Sequence, residues 1–523
     1  MANTQFLGAL LAADPFDEYH FFLAGERECT EFRQAVASHF PGHTEHIKAL
    51  PRKGLPAALA ENRYHVFHLS DCITHQAQLS RLRNLHAPEL FPITGVTHSL
   101  SYPNYGQAFL AHLWPGTTPR DCIVATSRTG VQVVEGFFGY LRRGYGLDAT
   151  RFPQPSIRRI PLAVTPEDLV PASPEEKIEA RARLGLTPER TLFLVFGRLS
   201  HYSKMDLLPL LRALKRCVVQ GMDPASFSLV LAGWVEDGEN YHEAVTGLAT
   251  TLGLDVRVFA RPDEAQKADL YHAADVFVSI ADNPQETFGI TILEAQSAGL
   301  AVVASEYDGY RDLVDSGTNG LLVPTLCAAQ TPEVDPMARL LFDSDSHLSL
   351  AQETVVEVGP LAEALLALHR SPELRLTLGR KARQDIEERY SWSRIIDQYI
   401  ALWDELWRLP AERVQVAHPM ELPYGEVFGH YTTTTLSDEL SVSATAYGLR
   451  VYRNEELPII YPGIAGRVTA QGLRKLLFAA RKPVSVIDLT TQVSGMLADA
   501  GSEAVRGMIL WALKHDLLQR EES

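Results

Sequence analysis

Two glutamates eight residues apart, Glu286 and Glu294, flank a Phe288-Gly289 turn in the stretch 283–299, NPQETFGITILEAQSAG. A strand-like run, Val276-Phe277-Val278-Ser279-Ile280, precedes it, and Ala301-Val302-Val303-Ala304 follows. Strand, loop, helix, strand is the repeating unit of a parallel sheet. The loop then opens at the carboxyl end of a strand, where open α/β sheets bind ligands. The turn leaves the first N–H groups of the helix unpaired, a natural seat for phosphate. One pocket would receive both carboxylates and an anion. Taken alone the pair is weak evidence, because glutamate early in a helix also complements the helix dipole.

A second cluster lies upstream. Gly197-Arg198-Leu199-Ser200 follows a strand over 191–196, and Lys204 comes six residues after Arg198. Both cations fall in a loop on the same edge of the sheet. Arginine through its planar fork and lysine as a point charge can together hold a diphosphate. Two solvated surface cations would give the same pattern.

The elements that must position these residues alternate along the chain. Helices are predicted over 3–13, 28–39, 75–85, 104–113 and 131–143, the last capped by Ser127. Strands are predicted over 19–23, 65–69, 92–97, 121–125 and 156–160, with His98 at the end of the third. That alternation favours a doubly wound sheet. Four prolines within 161–186 mark a linker and lead-in helix. A second alternation follows, with strands over 191–196, 228–232, 256–259, 276–280, 301–304 and 320–323. The fold class is α/β, two Rossmann-like halves facing a cleft. Residues 326–357 read as a long polar surface insertion containing Asp343-Ser344-Asp345, and 391–415 as a helix after Tyr390-Ser391-Trp392. Beyond 424, β-prone runs (449–452 and 458–461) precede helices over 470–480, 484–493 and 504–518. That tail suggests a small α+β module of winged-helix type.

Composition narrows the classes. At 523 residues the chain exceeds one core, and 46% hydrophobic with 21% charged residues is ordinary for a globular protein. No run of 18 apolar residues and no secretory signal is evident, so no transmembrane segment is expected. A net charge of −16 argues against bulk affinity for nucleic acid. In the tail, Arg474, Lys475, Arg481, Lys482, Arg506 and Lys514 are offset by Asp488, Asp499, Glu503 and Asp516, so a protein contact through 424–523 is favoured over DNA. The five cysteines are scattered with no C-x-x-C pair, which fits free thiols in the cytoplasm and no cysteine-bound zinc.

In combination the motifs are specific. P-x-E-x-F-G-I-x-I-L-E-A-x-S-x-G, with G-R-L-x4-K upstream, resembles family 4 of the retaining, nucleotide-sugar-dependent glycosyltransferases. Asp308-Gly309-Tyr310-Arg311-Asp312-Leu313-Val314 and Asn319-Gly320-Leu321-Leu322-Val323-Pro324 match further family positions. The resemblance covers 191–407 well and 3–160 loosely. It implies the GT-B fold, with 1–165 as the acceptor domain, 166–390 as the nucleotide-sugar domain and 391–415 as a crossover helix. It implies that Arg198 and Lys204 neutralise the departing diphosphate and that Glu294 bonds the ribose. Glu286 would face the donor sugar, with the Phe288-Gly289 backbone at the sugar or phosphate. His98 matches a histidine near the sugar and phosphate, although a strand-end histidine is also an ordinary structural feature. The implied mechanism is same-face attack, with the leaving phosphate taking the acceptor's proton. With these cations present, neither metal nor cofactor is needed; the partners are a nucleotide-sugar and an unidentified acceptor.

Two departures stand out. Met205 stands where the family commonly has glycine. The family also begins on a strand and Gly-rich loop, whereas this chain enters at a helix. That implies an upstream start, a strand from another segment or chain, or a rearranged sheet. Two other readings compete: a nucleotide-sugar sensor or scaffold with the tail as effector, and a GT-B-fold sugar epimerase, whose class lacks the E-x7-E pattern.

Overall fold

The computed structural model describes residues 2–236, 240–497 and 501–521. The chain divides into two compact units, Met1–Met420 and Glu421–Ser523.

In the first unit, six strands precede residue 160: β1 (Tyr19–Leu23), β2 (Ile47–Pro51), β3 (Phe67–Leu69), β4 (Ile93–Val96), β5 (Asp121–Ala125) and β6 (Ser156–Arg159). They form two parallel sheets, β1-β2 and β3-β4-β5-β6, where the sequence pattern suggested one. Among the described residues β1 and β3 each keep one edge without a strand partner. Across these edges the Phe22 and Phe67 rings stack with centroids 5.7 Å apart. β2 and the helix Leu55–Glu61 were invisible to periodicity because the run is short, split by Lys48 and ended by Pro51. Ser127 caps the helix Arg128–Tyr145 as predicted, its Oγ accepting from the Gly130 N–H.

The second half of this unit is one six-stranded parallel sheet. Its strands are β7 (Thr191–Phe196), β8 (Phe227–Gly233), β9 (Val256–Ala260), β10 (Val276–Ser279), β11 (Ala301–Ser305) and β12 (Leu321–Val323). They lie in the order β12-β11-β10-β7-β8-β9. β7, β8, β10 and β11 are near-continuous apolar runs because helices cover both faces, which is why they were readable. The chain runs outward from β7 through β8 and β9, then returns to start again at β10 on the other side. The β7/β10 boundary is therefore a topological switch point, and the loops at their carboxyl ends diverge to leave a crevice.

The polar stretch after Val323 is more ordered than an insertion loop. β13 (Thr325–Cys327) pairs antiparallel with β14 (Thr354–Val356), and the helix Asp343–Gln352 lies between them. Asp343 and Asp345 occupy the first turn of that helix, where carboxylates complement its positive end, and so are not loop residues. The helix Trp392–Arg408 buries Ile395, Ile396, Tyr399, Leu402, Trp403 and Leu406 at helical spacing. These pack with Leu10, Leu11, Tyr19, Val96 and Val124 of the first half. The Trp403 indole N–H donates to Thr94 Oγ1 at 3.3 Å.

The second unit holds β15 (Ser441–Ala444), β16 (Val484–Ser485) and β17 (Leu518–Arg520) as an antiparallel sheet ordered β16-β15-β17. Around it pack the helices Ala446–Tyr452, Ala470–Ala479, Val486–Met496 and Ser502–Lys514. The β-prone run 449–452 is helical because Thr445 caps the segment, its Oγ1 accepting from the Gly448 N–H. The run 458–461 forms no strand. Of the charged residues weighed above, Asp499 lies outside the described residues. Arg506 is tied to Asp438 at 2.5 Å and to the Leu436 carbonyl at 3.0 Å.

Trp403 is 1% exposed in the first half's core. Trp403→Ala is expected to lower the stability of the first unit by about 3–5 kcal/mol, read from denaturant unfolding of the full chain.

Candidate active site

Arg198, Lys204 and Glu286 lie in the loops at the switch point. The loop after β10 runs Ala281-Asp282-Asn283-Pro284-Gln285-Glu286 before the turn into the helix Ile290–Ser297. Asn283 is fully buried; its amide donates to the Tyr202 carbonyl at 2.7 Å and its Oδ1 accepts from the Gln285 N–H at 3.0 Å. This fixes the loop against the segment that carries Lys204.

Lys204 and Glu286 meet directly, the ammonium on Glu286 Oε2. Their side chains are only 13% and 11% exposed. The second carboxylate oxygen, Oε1, accepts from the Thr287 and Phe288 N–H groups at 3.2 and 3.3 Å. Burial works against the charge on each partner, but the pairing outweighs it. The Lys204 pKa is raised and the Glu286 pKa is lowered. Lys204 is therefore not the solvated cation that its sequence context allowed. Arg198 is exposed in the loop after β7, one guanidinium nitrogen on the Ser203 carbonyl at 3.2 Å. Met205, in the position noted above, is buried, and its N–H bonds the Ser200 carbonyl at 3.2 Å.

Tyr310 completes the cluster. Its hydroxyl lies 3.0 Å from Glu286 Oε2, 3.3 Å from Lys204 Nζ and 2.7 Å from Ser279 Oγ. Burial, then the Glu286 charge, raises its pKa and keeps the hydroxyl protonated. Its ring also explains the glycine at 289. Gly289 has φ 106°, and a β-carbon there would lie 2.5 Å from the Tyr310 ring. Only glycine meets both conditions.

Glu294 lies in a separate group. Lys267 Nζ donates to its Oε1 at 2.7 Å and the Tyr271 hydroxyl to its Oε2 at 2.8 Å. Among the described residues it makes no hydrogen bond to Arg198, Lys204 or Glu286. His98, at the end of β4, is exposed and its Nε2 bonds the Ser70 carbonyl at 2.6 Å. The next residue reaches the site loop, Ser99 Oγ donating to the Gln285 carbonyl at 2.8 Å. The Gln285 side-chain amide also donates to the Tyr102 hydroxyl at 3.1 Å, so the first half meets the Glu286 loop through both the backbone and the side chain of Gln285.

Sequence reasoning missed Ser279, Lys267, Tyr271 and the role of Tyr310. Tyr310 stood in a motif that had been noticed, DGYRDLV, with no feature marking its hydroxyl as part of the site. Lys267 and Tyr271 lie between the strands predicted over 256–259 and 276–280, with no motif to mark them.

Residues 176–333 match the family model of glycosyl transferases group 1. Among curated relatives, D-inositol 3-phosphate glycosyltransferase of Rhodococcus opacus (strain B4) is 34% identical over 187 residues, 35% of this chain and 39% of that one. The enzyme of that name from Saccharomonospora viridis is 30% identical over 242 residues, 46% of this chain and 48% of that one. The chain thus spans half or less of the length of these relatives. In three dimensions it resembles Anabaena HepE in complex with UDP and glucose, with a TM-score of 0.50 at 18% identity, over 77% of this chain and 95% of that one. The fold is GT-B, with two Rossmann-like domains. The E-x7-E loop, Arg198 and Lys204 all fall inside the matched glycosyl transferase segment.

Two further carboxyls beside the site are perturbed. Burial pushes Asp282 and Asp308 from an ordinary 3.8 up to about 7. The folded chain then keeps protons that the unfolded chain sheds, so these groups make stability fall as pH rises from about 4 to about 7. Asp282→Asn is expected to flatten the fall in melting temperature between pH 5 and pH 8. An unaltered profile would count against the shift. Lys204→Ala strands the Glu286 carboxylate and is expected to cost about 3 kcal/mol, more than Glu286→Gln, in chemical unfolding.

Proposed function

We propose that the chain is a retaining glycosyltransferase that moves a hexose from a nucleoside-diphosphate sugar to an acceptor hydroxyl without a metal ion. The observation that carries this reading is the Lys204–Glu286–Tyr310 cluster at the switch point of a GT-B fold, with Arg198 exposed beside it. A diphosphate entering there finds two cations and the N-terminal end of the helix Ile290–Ser297. As the bond between the anomeric carbon and the phosphate oxygen breaks, negative charge grows on the phosphate. Preorganised cations and N–H groups stabilise that charge more than they stabilise the bound donor. The acceptor oxygen bonds to the anomeric carbon on the same face, and its proton passes to the leaving phosphate. Acceptor plus nucleotide-sugar becomes glycoside plus nucleoside diphosphate.

Glu286 then faces the sugar and Glu294 the ribose hydroxyls, held in place by Lys267 and Tyr271. His98 would lie on the opposite wall near the sugar and phosphate, brought close by the Ser99–Gln285 bond. The relatives' names and the UDP in HepE support UDP-hexoses as the first donors to try. A cytoplasmic location fits the five free cysteines, four of them buried. No described helix is long and apolar enough to cross a membrane. Residues 424–523 would serve protein contact.

The test is turnover. Incubation with a panel of nucleotide-sugars should release nucleoside diphosphate, and EDTA should leave the rate unchanged. Glu286→Ala should cut that rate at least 100-fold while nucleoside diphosphate still binds; a wild-type rate would remove Glu286 from the chemistry. Glu294→Ala should weaken nucleotide binding by about 1–3 kcal/mol in calorimetry, the range for hydrogen bonds to a charged group.

A further inference from the structure

The Tyr310 hydroxyl has one proton to give and two lone pairs with which to accept. Its three neighbours assign all of them. Lys204 Nζ, 3.3 Å away, can only donate. The Glu286 carboxylate, held ionised by Lys204, can only accept, at 3.0 Å. The Tyr310 proton therefore lies on Glu286 Oε2, and the Ser279 hydroxyl at 2.7 Å must donate to Tyr310. Two donors on the phenolic oxygen fix the direction of its own proton. Ser279 and Tyr310 are both fully buried, so water does not compete for these bonds. The ring is fixed as well, packed against Gly289 where a β-carbon would collide with it. Two other titratable groups face Glu286, Tyr307 and Asp308, from the same segment after β11. Among the described residues neither donates a hydrogen bond to it.

On the glycosyl-transfer reading a diphosphate takes Lys204. The Glu286 carboxylate then loses its cation while it stays nearly buried, and a buried carboxylate without a cation drifts toward protonation. Its Oε1 keeps the Thr287 and Phe288 N–H groups. For Oε2, Tyr310 is the remaining donor among the described residues. We propose that Tyr310 is a positioning residue whose hydroxyl, fixed by Ser279, keeps Glu286 ionised and aimed while a diphosphate occupies Lys204. The inference rests on the function proposed above and adds to it a residue that acts through Glu286 without touching the donor. A tyrosine that only fills the space beside Gly289 has no influence on the charge of Glu286.

The test needs no acceptor. Dissociation constants for UDP, or for GDP or ADP where UDP does not bind, are measured by calorimetry of the full chain across neutral pH. Tyr310→Phe keeps the ring against Gly289 and removes the hydroxyl. Without nucleotide this variant still pairs Glu286 with Lys204, which holds the carboxyl ionised. With nucleotide it does not, so binding takes up a proton and affinity falls as pH rises. Log Kd is expected to climb with pH more steeply than in wild type, by up to about one unit per pH unit, with binding roughly tenfold weaker on the alkaline side. The nucleotide's own phosphate titrates alike in every variant and drops out of the comparison. Glu286→Gln combined with Tyr310→Phe has no carboxylate to protonate and should return to the wild-type slope. A steep slope that survives in this double variant assigns the proton to another group, Asp308 included, and overturns the proposal. Tyr310→Phe with the wild-type slope and affinity overturns it too, whatever its melting temperature. If the single variant does not fold, Ser279→Ala combined with Tyr310→Phe removes both partners of the 2.7 Å bond and carries the same expectations. Wild-type protein that binds none of these nucleotides overturns the functional reading and this proposal together. Wild type that binds one of them with a pH profile that Tyr310→Phe leaves intact overturns this proposal alone.

Discussion

The ion pair between Lys204 and Glu286 is the contact around which the rest of the site is arranged. A nearly buried lysine or glutamate is costly to keep charged alone, since burial disfavours the ionised form of each. Together they are tolerable only with excellent geometry and with the remaining polar atoms satisfied. The structure meets that demand from three strands. The Lys204 segment follows β7, Glu286 and Ser279 come from β10 and its loop, and Tyr310 follows β11. These are neighbours in the sheet, in the order β11-β10-β7, with the switch point between the last two. The constraint therefore reaches down to strand order, because another arrangement would separate the groups that neutralise one another.

The same constraint links the two halves of the first unit. The helix Tyr310–Leu313 carries Tyr310 toward Glu286 and Asp312 toward the first half. Asp312 accepts from the Arg128 backbone N–H at 2.7 Å and from the Arg128 and Arg159 guanidinium groups at 2.5 and 3.1 Å. Burial alone would raise its pKa, but these donors lower it. Arg128 opens the helix capped by Ser127, so Asp312 also lies at that helix's positive end. Three residues, Tyr310 to Asp312, thus link the Glu286 cluster to the contact between halves. A change at Glu286 reaches the first half through the Tyr310 hydrogen bond and two further residues of chain, and the exposure of the Arg128 side chain leaves that contact open to competition from water.

Much of this was legible in the chain because burial on two faces leaves a plain signature. β7, β10 and β11 are apolar runs bounded by glycine, proline or polar turns, and they emerged within a residue of their ends. The E-x7-E spacing located the crevice because a motif within one loop and helix needs no knowledge of the fold. What failed depended on partners distant in sequence. β2 is a strand only because β1 pairs with it, and 354–356 is one only because 325–327 lies opposite. The run 449–452 has strand composition but starts after a threonine that caps a helix, a local signal outweighed in the reading by β-branched and aromatic content. Tyr310 is 24 residues from the carboxylate it touches and 106 from the lysine, so no window of sequence joins them.

The distance between partners also bears on how an anion could enter. Glu286 holds Lys204, the lysine that a diphosphate would need on the reading proposed above. Breaking that pair without a substitute leaves a buried charge uncompensated, at a cost of about 3–5 kcal/mol. An incoming phosphate changes the balance because it brings its own negative charge to Lys204. Glu286 would still keep the Thr287 and Phe288 N–H groups and the Tyr310 hydroxyl, three donors that do not depend on the lysine. On the donor-binding reading the exchange is therefore between two anions for one cation, and most of the desolvation cost has already been met in the folded chain. A neutral ligand brings no such replacement. On that reading the pair would filter ligands by charge before any contact with the sugar is made, and the carboxylate released would already be oriented by the backbone of the turn that follows it.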